Sequence, residues 1–187
     1  MNNRYHFLTR WRVAATSEEV YDILSQPVDY PRWWPSVYLA VRELTHSRIR
    51  LHTKGWLPYT LTWEAVTVEK RRPNLLAIRA SGDFEGRGIW SIVQDGEFTD
   101  ITFDWKLAAD KPLLRYLSIA LRPAFEANHR WAMEQGLQSL KLELARGRAR
   151  TVEEMNAIAP APAPHMFPMR QVAAGAALSI AIIASLA

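Results

Sequence analysis

The chain has no cysteine, which excludes disulfide bonds, thiolate catalysis and zinc–thiolate sites. It also has little excess of either charge, because 23 basic and 19 acidic residues leave a formal net charge of +4. A nucleic-acid-binding surface needs a denser basic cluster, so we expect no nucleic-acid partner. The N-terminal residues lack the apolar core of a secretory signal, and we therefore expect a cytoplasmic domain.

Several motifs that would point to a class of enzyme are missing as well. No Gly-x-Gly-x-x-Gly loop follows a predicted strand, and the sequence contains no serine-hydrolase elbow. The histidines at positions 6, 46, 52 and 129 show no metal-ligand spacing such as His-x-x-x-His. We therefore expect neither a bound nucleotide nor a metal ion, and no cofactor.

Aromatic residues, by contrast, are abundant, and two of them lie together on a connection. The chain has eight tryptophans, of which Trp33 and Trp34 follow Pro31 closely and precede Pro35. Connections normally carry small polar residues, so this stiff apolar segment needs an apolar surface to cover. We expect the two tryptophans to form a lid over an apolar cavity. The alternative is a hydrophobic plug that closes one end of an ordinary core.

The first two thirds of the chain predict a strand, two short helices and a run of further strands. Residues 5–15 alternate as a strand, and Thr16 with Glu19 forms a capping box for a short helix that Pro27 ends. Asp29 is placed to cap a second short helical turn. Alternating apolar and polar residues then predict strands at 37–44, 48–54, 59–69, 75–81, 87–93 and 100–107.

A long helix is predicted to cover the apolar face of these strands. Pro112 begins a helical pattern that runs to about Arg146, with a kink or break at Arg122–Pro123. Beyond this proline, apolar residues repeat at helical spacing on one face. The simplest assembly is an α+β domain in which a curved antiparallel β-sheet wraps around one long C-terminal α-helix, with two short helices after the first strand.

The composition changes after this helix. We expect a ligand-binding domain over residues 1–148, an Ala/Pro-rich linker over residues 149–170 and an apolar C-terminal segment over residues 171–187. A helix of the last sixteen residues would reach only about 24 Å, short of the roughly 30 Å hydrocarbon core. Three interpretations stay open: a membrane anchor or membrane-lying helix, a disordered tail, and a helix that docks on a partner.

Four segments resemble a known superfamily. They are residues 11–24, 30–35, 82–90 and 128–133, and they resemble the START-like or SRPBCC superfamily, in particular its bacterial polyketide cyclase/dehydrase-like branch. The resemblance spans about residues 4–145 and implies the helix-grip fold. It implies less about function, because the superfamily includes lipid carriers, hormone receptors, cyclases, coenzyme Q-binding proteins and chaperone regulators.

The resemblance also implies an internal cavity, which the aromatic residues of the strands and the long helix would line. Large rings around an incompletely filled space suit an apolar ligand, whereas the alternative is a close-packed aromatic core. The expected ligand-binding residues are Trp33, Trp34, Tyr59, Trp63, Trp90, Phe103, Trp105, Phe125, His129 and Met133.

His129 is the best polar candidate within this set. It lies four residues from both Phe125 and Met133, on the apolar face of the predicted helix. A neutral imidazole there could donate a hydrogen bond to a ligand carbonyl or act as a general base. The alternative is a structural hydrogen bond inside the core.

A second group of polar candidates surrounds a glycine-rich turn. Arg79, Asp83, Glu85 and Arg87 alternate in sign around Gly82, Gly86 and Gly88. We expect a solvent-exposed ladder of cross-strand ion pairs, and the alternative is a charged rim or a catalytic pair.

Three functions fit these observations. The leading hypothesis is the binding or transport of a hydrophobic small molecule (a lipid, a quinone or a polyketide-like compound) in an internal cavity, at the cytoplasmic face of a membrane that the C-terminal segment contacts. The second is a polyketide cyclase or dehydratase, in which His129 or an arginine assists enolisation. The third is a protein-interaction module that uses the sheet face or the tail.

Overall fold

One curved antiparallel sheet forms most of the chain before residue 109. The structure is a computed structural model that describes residues 4–108 and 112–165, and for residues 112–121 it describes the backbone. Within this part of the chain the sheet has seven strands: β1 (Arg4–Val13), β2 (Tyr38–Thr45), β3 (Arg48–Lys54), β4 (Thr60–Arg71), β5 (Leu75–Gly82), β6 (Glu85–Asp95) and β7 (Phe98–Ala108).

The order of the strands determines where the first connection must run. The order across the sheet is β1-β7-β6-β5-β4-β3-β2, so the first two strands in sequence form its two opposite edges. The chain between them has to cross from one edge to the other. It does so through α1 (Ser17–Leu24), a 3-10 turn (Pro27–Asp29) and α2 (Tyr30–Trp33), which brings the paired tryptophans over one end of the sheet.

The sheet wraps around α3 (Pro112–Arg148). Its buried residues Met133, Leu140 and Leu144 belong to the same core cluster as the inward-facing residues of the strands. The predicted sheet, long helix and two short helices after the first strand are thereby confirmed. The predicted break at Arg122–Pro123 is wrong, because one helix continues through Pro123. Proline removes one helical hydrogen bond, but the residues on both sides of it still form helical turns.

The predicted capping box is present, and it takes part in a larger clamp. Thr16 accepts a hydrogen bond from the Glu19 backbone N–H (3.2 Å), and Glu19 accepts one from the Thr16 N–H (2.8 Å). Arg148, at the end of α3, donates to both carboxylate oxygens of Glu19 at 2.8 and 2.9 Å. The hydrogen bond from Arg148 is the main reason that the pKa of Glu19 falls from 4.5 to about 2. This clamp joins the C-terminal end of α3 to the start of α1.

The other predicted cap is wrong. Asp29 precedes α2, but its side chain forms no capping hydrogen bond. Asp29 ends the 3-10 turn and already has helical backbone angles, φ −85° and ψ −7°. Side-chain capping requires the extended backbone that Thr16 has (φ −78°, ψ 153°), so the continuous turn leaves Asp29 no capping position.

Residues after α3 turn back along it. A short helix, α4 (Val152–Ala157), lies inside the predicted linker, and residues 158–165 have no regular structure. Arg146 donates to the Ala159 carbonyl at 2.6 Å, and the His165 ring lies 6.5 Å from that of Trp131. Six extended residues reach about 19 Å, close to the roughly 22 Å between residues 146 and 131 of a helix. Residues 158–165, which we call the strap, therefore run antiparallel to α3.

The predicted apolar segment at 171–187 lies outside the described residues. Among the helices of the described part, none has the length and hydropathy needed to cross a membrane. The predicted boundaries at residues 148 and 170 stay predictions.

Gly136 is a point of α3 that has no room for a side chain. A β-carbon there would collide with the indole of Trp34, whereas one at Gly147 would meet no atom within 4 Å. We expect Gly136→Ala to lower the free energy of unfolding by about 1–3 kcal/mol through overpacking. Gly147→Ala, the matched control, should leave it unchanged or raise it by up to about 1 kcal/mol. Urea unfolding of the two variants measures the difference, and equal effects would contradict this packing.

Candidate ligand-binding cavity

A cavity of about 640 Å³ lies between the concave face of the sheet and α3. Nine of the ten predicted ligand-binding residues line it, and Trp33 does not. The nine are Trp34, Tyr59, Trp63, Trp90, Phe103, Trp105, Phe125, His129 and Met133.

Strand alternation brings the rings together on one wall. Inward positions two residues apart on β7 carry Phe103 and Trp105, and Trp90 on β6 is the register partner of Phe103. Trp90 stacks on Phe103 at 4.1 Å between ring centroids, and Phe103 stacks on Trp105 at 5.4 Å. Gly88 makes this possible, because a β-carbon at that position would lie 2.7 Å from the Trp105 ring. The sheet therefore presents a continuous row of stacked aromatic rings to the cavity.

The paired tryptophans differ in position. Trp34 lines the cavity and packs against Gly136, with its ring 5.8 Å from Trp11 and 5.1 Å from Tyr38. Trp33 lies outside the lining and is 1% exposed, whereas Trp34 is 2% exposed. Because both side chains are buried, we interpret Trp33 and Trp34 as a hydrophobic plug at one end of the core rather than as a lid over the cavity.

His129 is held on the opposite wall by two residues of β1. Its Nε2 atom lies 3.3 Å from the Thr9 hydroxyl oxygen, and its ring stacks on Phe7 at 4.2 Å with 19° between the planes. Burial lowers the pKa of His129 from 6.5 to about 4, so the imidazole is neutral at neutral pH. His129 therefore offers the cavity a neutral hydrogen-bonding group.

Two phenols and a hydroxyl of the lining are also neutral, although Asp29, Glu43, Lys54, Lys70 and Asp83 belong to the lining as well. Burial raises the pKa of Tyr38 above its ordinary value, and burial together with Tyr5 raises the pKa of Tyr59 to about 12. Thr53 accepts a hydrogen bond from the Trp63 indole N–H at 3.1 Å. Sequence reasoning did not single out Tyr38 or Thr53 for this wall. Tyr38 follows the helical turn directly, so no alternation signal precedes it.

The loop between β3 and β4, which contributes Tyr59 to the lining, contacts α3. The Asn128 side chain accepts a hydrogen bond from the Leu57 backbone N–H at 3.1 Å. Gly55 is needed for this approach, because a β-carbon there would collide with the Asn128 amide. The sequence carried one usable signal for this contact, the glycine in an otherwise strand-rich region.

The predicted ladder of ion pairs around the glycine-rich turn is wrong. Arg79 on β5 lies directly opposite Arg87 on β6, so the cross-strand pair has like charges. The turn brings Asp83 back to β4, where its carboxylate accepts a hydrogen bond from the Thr62 N–H at 2.8 Å. Sequence spacing alone could not show this, because the register across the turn decides which residues face each other.

A family model described as "Polyketide cyclase / dehydrase and lipid transport" matches residues 6–145, about three quarters of the chain. The chain belongs to this family. Solved structures of similar fold share its helix-grip architecture. No curated protein sequence matched the chain.

Three solved structures illustrate the structural likeness. A protein from Thermus thermophilus, TTHA0849, has a TM-score of 0.64 at 15% identity, with 78% of this chain and 100% of that chain covered. The Zhui aromatase/cyclase from a Streptomyces species has a TM-score of 0.62 at 19% identity, with 79% and 97% covered. A START superfamily protein from Mycobacterium smegmatis has a TM-score of 0.57 at 19% identity, with 72% and 98% covered. At these identities the likeness concerns the fold alone.

The lowered pKa of His129 makes stability depend on pH. Between about pH 6.5 and 4 the unfolded chain binds a proton on this residue that the folded chain does not. Stability should therefore fall by about 3 kcal/mol as the pH falls through this window. We expect His129→Phe, which keeps a ring against Phe7, to remove that slope.

Urea unfolding at a series of pH values measures this dependence. His46, which is exposed in the turn between β2 and β3, provides the control substitution His46→Gln. The assignment fails if His129→Phe retains the full pH dependence of the wild type.

Proposed function

We propose that this protein binds and carries a hydrophobic small molecule in the cavity between the sheet and α3. The observation that carries the proposal is the wall of stacked rings formed by Trp90, Phe103 and Trp105. The volume of the cavity, about 640 Å³, lies within the range of roughly 300–1,000 Å³ that is typical of small-molecule sites. The ligand class is a lipid, a quinone or a polyketide-like compound.

Burial of apolar surface supplies the affinity. Transfer of apolar surface out of water contributes roughly 25 cal/mol per Å², and flat rings offer a large contact area without polar atoms. Neutral groups then orient the ligand, because His129 and the phenols of Tyr38 and Tyr59 can form hydrogen bonds without carrying a charge. These properties suit a ligand with a carbonyl or hydroxyl group on a mainly apolar body.

Catalysis of cyclisation or dehydration is the second candidate, and the position of His129 in the lining is the observation that favours it. A general base works best when its pKa lies near the operating pH. The pKa of His129, about 4, makes the imidazole a weak base at neutral pH. We therefore assign His129 to ligand orientation in a binding protein.

We further propose that the apolar segment at residues 171–187 contacts the cytoplasmic face of a membrane. Supporting this, the strap runs from Arg146 back to Trp131 and so leads the chain toward the Phe125 end of α3. Phe125 lines the cavity, so membrane contact at this end would bring the cavity close to a source of apolar ligand.

Ligand binding is tested by filling the cavity. Ala132 lines it from α3, whereas Ala145 is exposed on the same helix. Native mass spectrometry and lipid extraction of the purified wild type should reveal a bound apolar molecule. Ala132→Phe should reduce its occupancy at least about tenfold by taking up ligand volume, and Ala145→Phe should leave it unchanged. Wild-type preparations that are always empty, and that no lipid or quinone stabilises against heat, would refute the proposal.

Membrane contact is tested by charge in the apolar segment. We expect Ile182→Glu in the full chain to reduce the membrane-bound fraction of the protein in cell fractionation by about tenfold or more, because a buried carboxylate costs about 2 kcal/mol or more in a bilayer. Ala163→Glu in the exposed part of the strap is the matched control and should fractionate like the wild type. Equal fractionation of all three proteins would exclude this segment as the contact.

A further inference from the structure

Four basic side chains form a straight row across four strands. Arg79 on β5 faces Arg87 on β6, Arg87 faces Lys106 on β7, and Lys106 faces His6 on β1. All four are exposed. We call Arg79, Arg87, Lys106 and His6 the basic row.

The basic row lies on the convex face of the sheet. Side chains alternate between the two faces of a strand, and the neighbours Gly88 and Trp105 are buried on the cavity side. Three strand spacings of about 4.8 Å make the row roughly 14 Å wide. It is therefore wider than one phosphate group and suits several anions side by side.

The charges of the basic row are poorly compensated within the protein. Like charges directly opposite each other in a sheet destabilise it. Asp104 lies 2.9 Å from His6 and 3.4 Å from Lys106, so this acid is already engaged. Glu85 lies on the same face two positions before Arg87. Within the described part of the chain, however, the side chains of Arg79 and Arg87 form no ion pair or hydrogen bond.

Two other arginines, which hold helices together, are paired with carboxylates. Arg148 is paired with Glu19, and Arg32 donates to Glu143 at 2.6 and 3.0 Å. Arg79 and Arg87 instead face each other at a cost in stability. An anion from outside the protein would relieve the repulsion and satisfy both guanidinium groups.

The basic row also borders one end of the cavity. The β5–β6 turn begins four residues after Arg79, and its Phe84 lines the cavity. Leu107, the neighbour of Lys106, lines the cavity from the other face of β7. An anionic surface that binds the basic row would therefore lie close to the end of the cavity formed by Phe84 and Leu107.

We propose that the basic row docks this end of the domain on a bilayer that contains anionic phospholipids, with headgroup phosphates between Arg79 and Arg87. This inference rests on the proposed function, since docking there places the cavity beside a reservoir of apolar ligand. Leu8, next to His6 in the adjoining row of the convex face, is 52% exposed and provides an aliphatic contact.

RNA is the competing source of phosphates, and the neighbouring side chains argue against it. Single-stranded nucleic acids are held by aromatic side chains that stack on bases. The adjoining row instead carries the aliphatic Leu8 and Ile89, with Asp104 between them in register. Aliphatic and basic groups together suit the boundary between headgroups and acyl chains.

Vesicle binding of the full chain tests the proposal. The probes are phosphatidylcholine vesicles with and without about a third of phosphatidylglycerol, and each basic residue near an anionic surface contributes about 1 kcal/mol. The double variant Arg79→Ala/Arg87→Ala should therefore lose about thirtyfold in partition coefficient on the anionic vesicles. Lys141→Ala/Arg150→Ala removes the same charge from exposed positions elsewhere, and it should change binding less than about twofold.

Three results would overturn docking by the basic row. They are equal binding of the wild type to both vesicle types, unchanged binding of the Arg79/Arg87 double variant, and displacement of the wild type from anionic vesicles by an equal concentration of a single-stranded ribo-oligonucleotide. Ligand extraction from the same preparations separates this failure from failure of the proposed function. If the protein still contains an apolar ligand but its vesicle binding does not depend on the basic row, the carrier role stands and only this docking surface is refuted.

A second variant separates function from folding. Arg87→Glu places a carboxylate between Arg79 and Lys106, so it should raise the melting temperature while it abolishes the preference for anionic vesicles. A gain in stability together with a loss of binding is the expected result. A variant that is more stable and binds anionic vesicles as well as the wild type would contradict the proposal.

Discussion

The contact between Trp34 and Gly136 determines how closely α3 can approach the sheet. The indole occupies the place where a side chain of the helix would otherwise lie, and it is almost fully buried there. On the C-terminal side of this contact, Leu140 and Leu144 are buried in the core cluster. On the N-terminal side, Phe125 and His129 line an unfilled space. One bulky side chain against one glycine thus separates a packed half of the interface from a hollow half.

The hollow half persists because its walls are made of large planar groups. Rings that stack at 4.1 and 5.4 Å along the sheet are rigid and cannot fold into the cavity as a flexible aliphatic side chain would. Gly88 gives the rings room to lie against the strand. The same planarity that prevents collapse provides contact area for a guest molecule, which connects packing with the proposed function.

The distribution of charges also differs between the two ends of the domain. The carboxylates of Glu19 and Glu143 join α3 to α1 and α2 through Arg148 and Arg32, and this fixes the end of the helix that closes the core. At the opposite end of the sheet, cationic side chains face one another across the strands. The paired charges stabilise the fold, whereas Arg79 and Arg87, which have no ion-pair partner among the described residues, keep their capacity to bind an anion.

The sequence alone determined the strands, the apolar sides of β1, β4 and β7, the capping box at Thr16 and the long helix, because these depend on local periodicity and local hydrogen bonds. It also indicated nine of the residues that line the cavity. Only the tertiary structure decided that Trp34 lines the cavity while Trp33 does not, that Thr9 and Phe7 hold His129, and that Arg79 faces Arg87. Those outcomes depend on register and on contacts between segments far apart in the chain, and neither is encoded in the spacing of neighbouring residues.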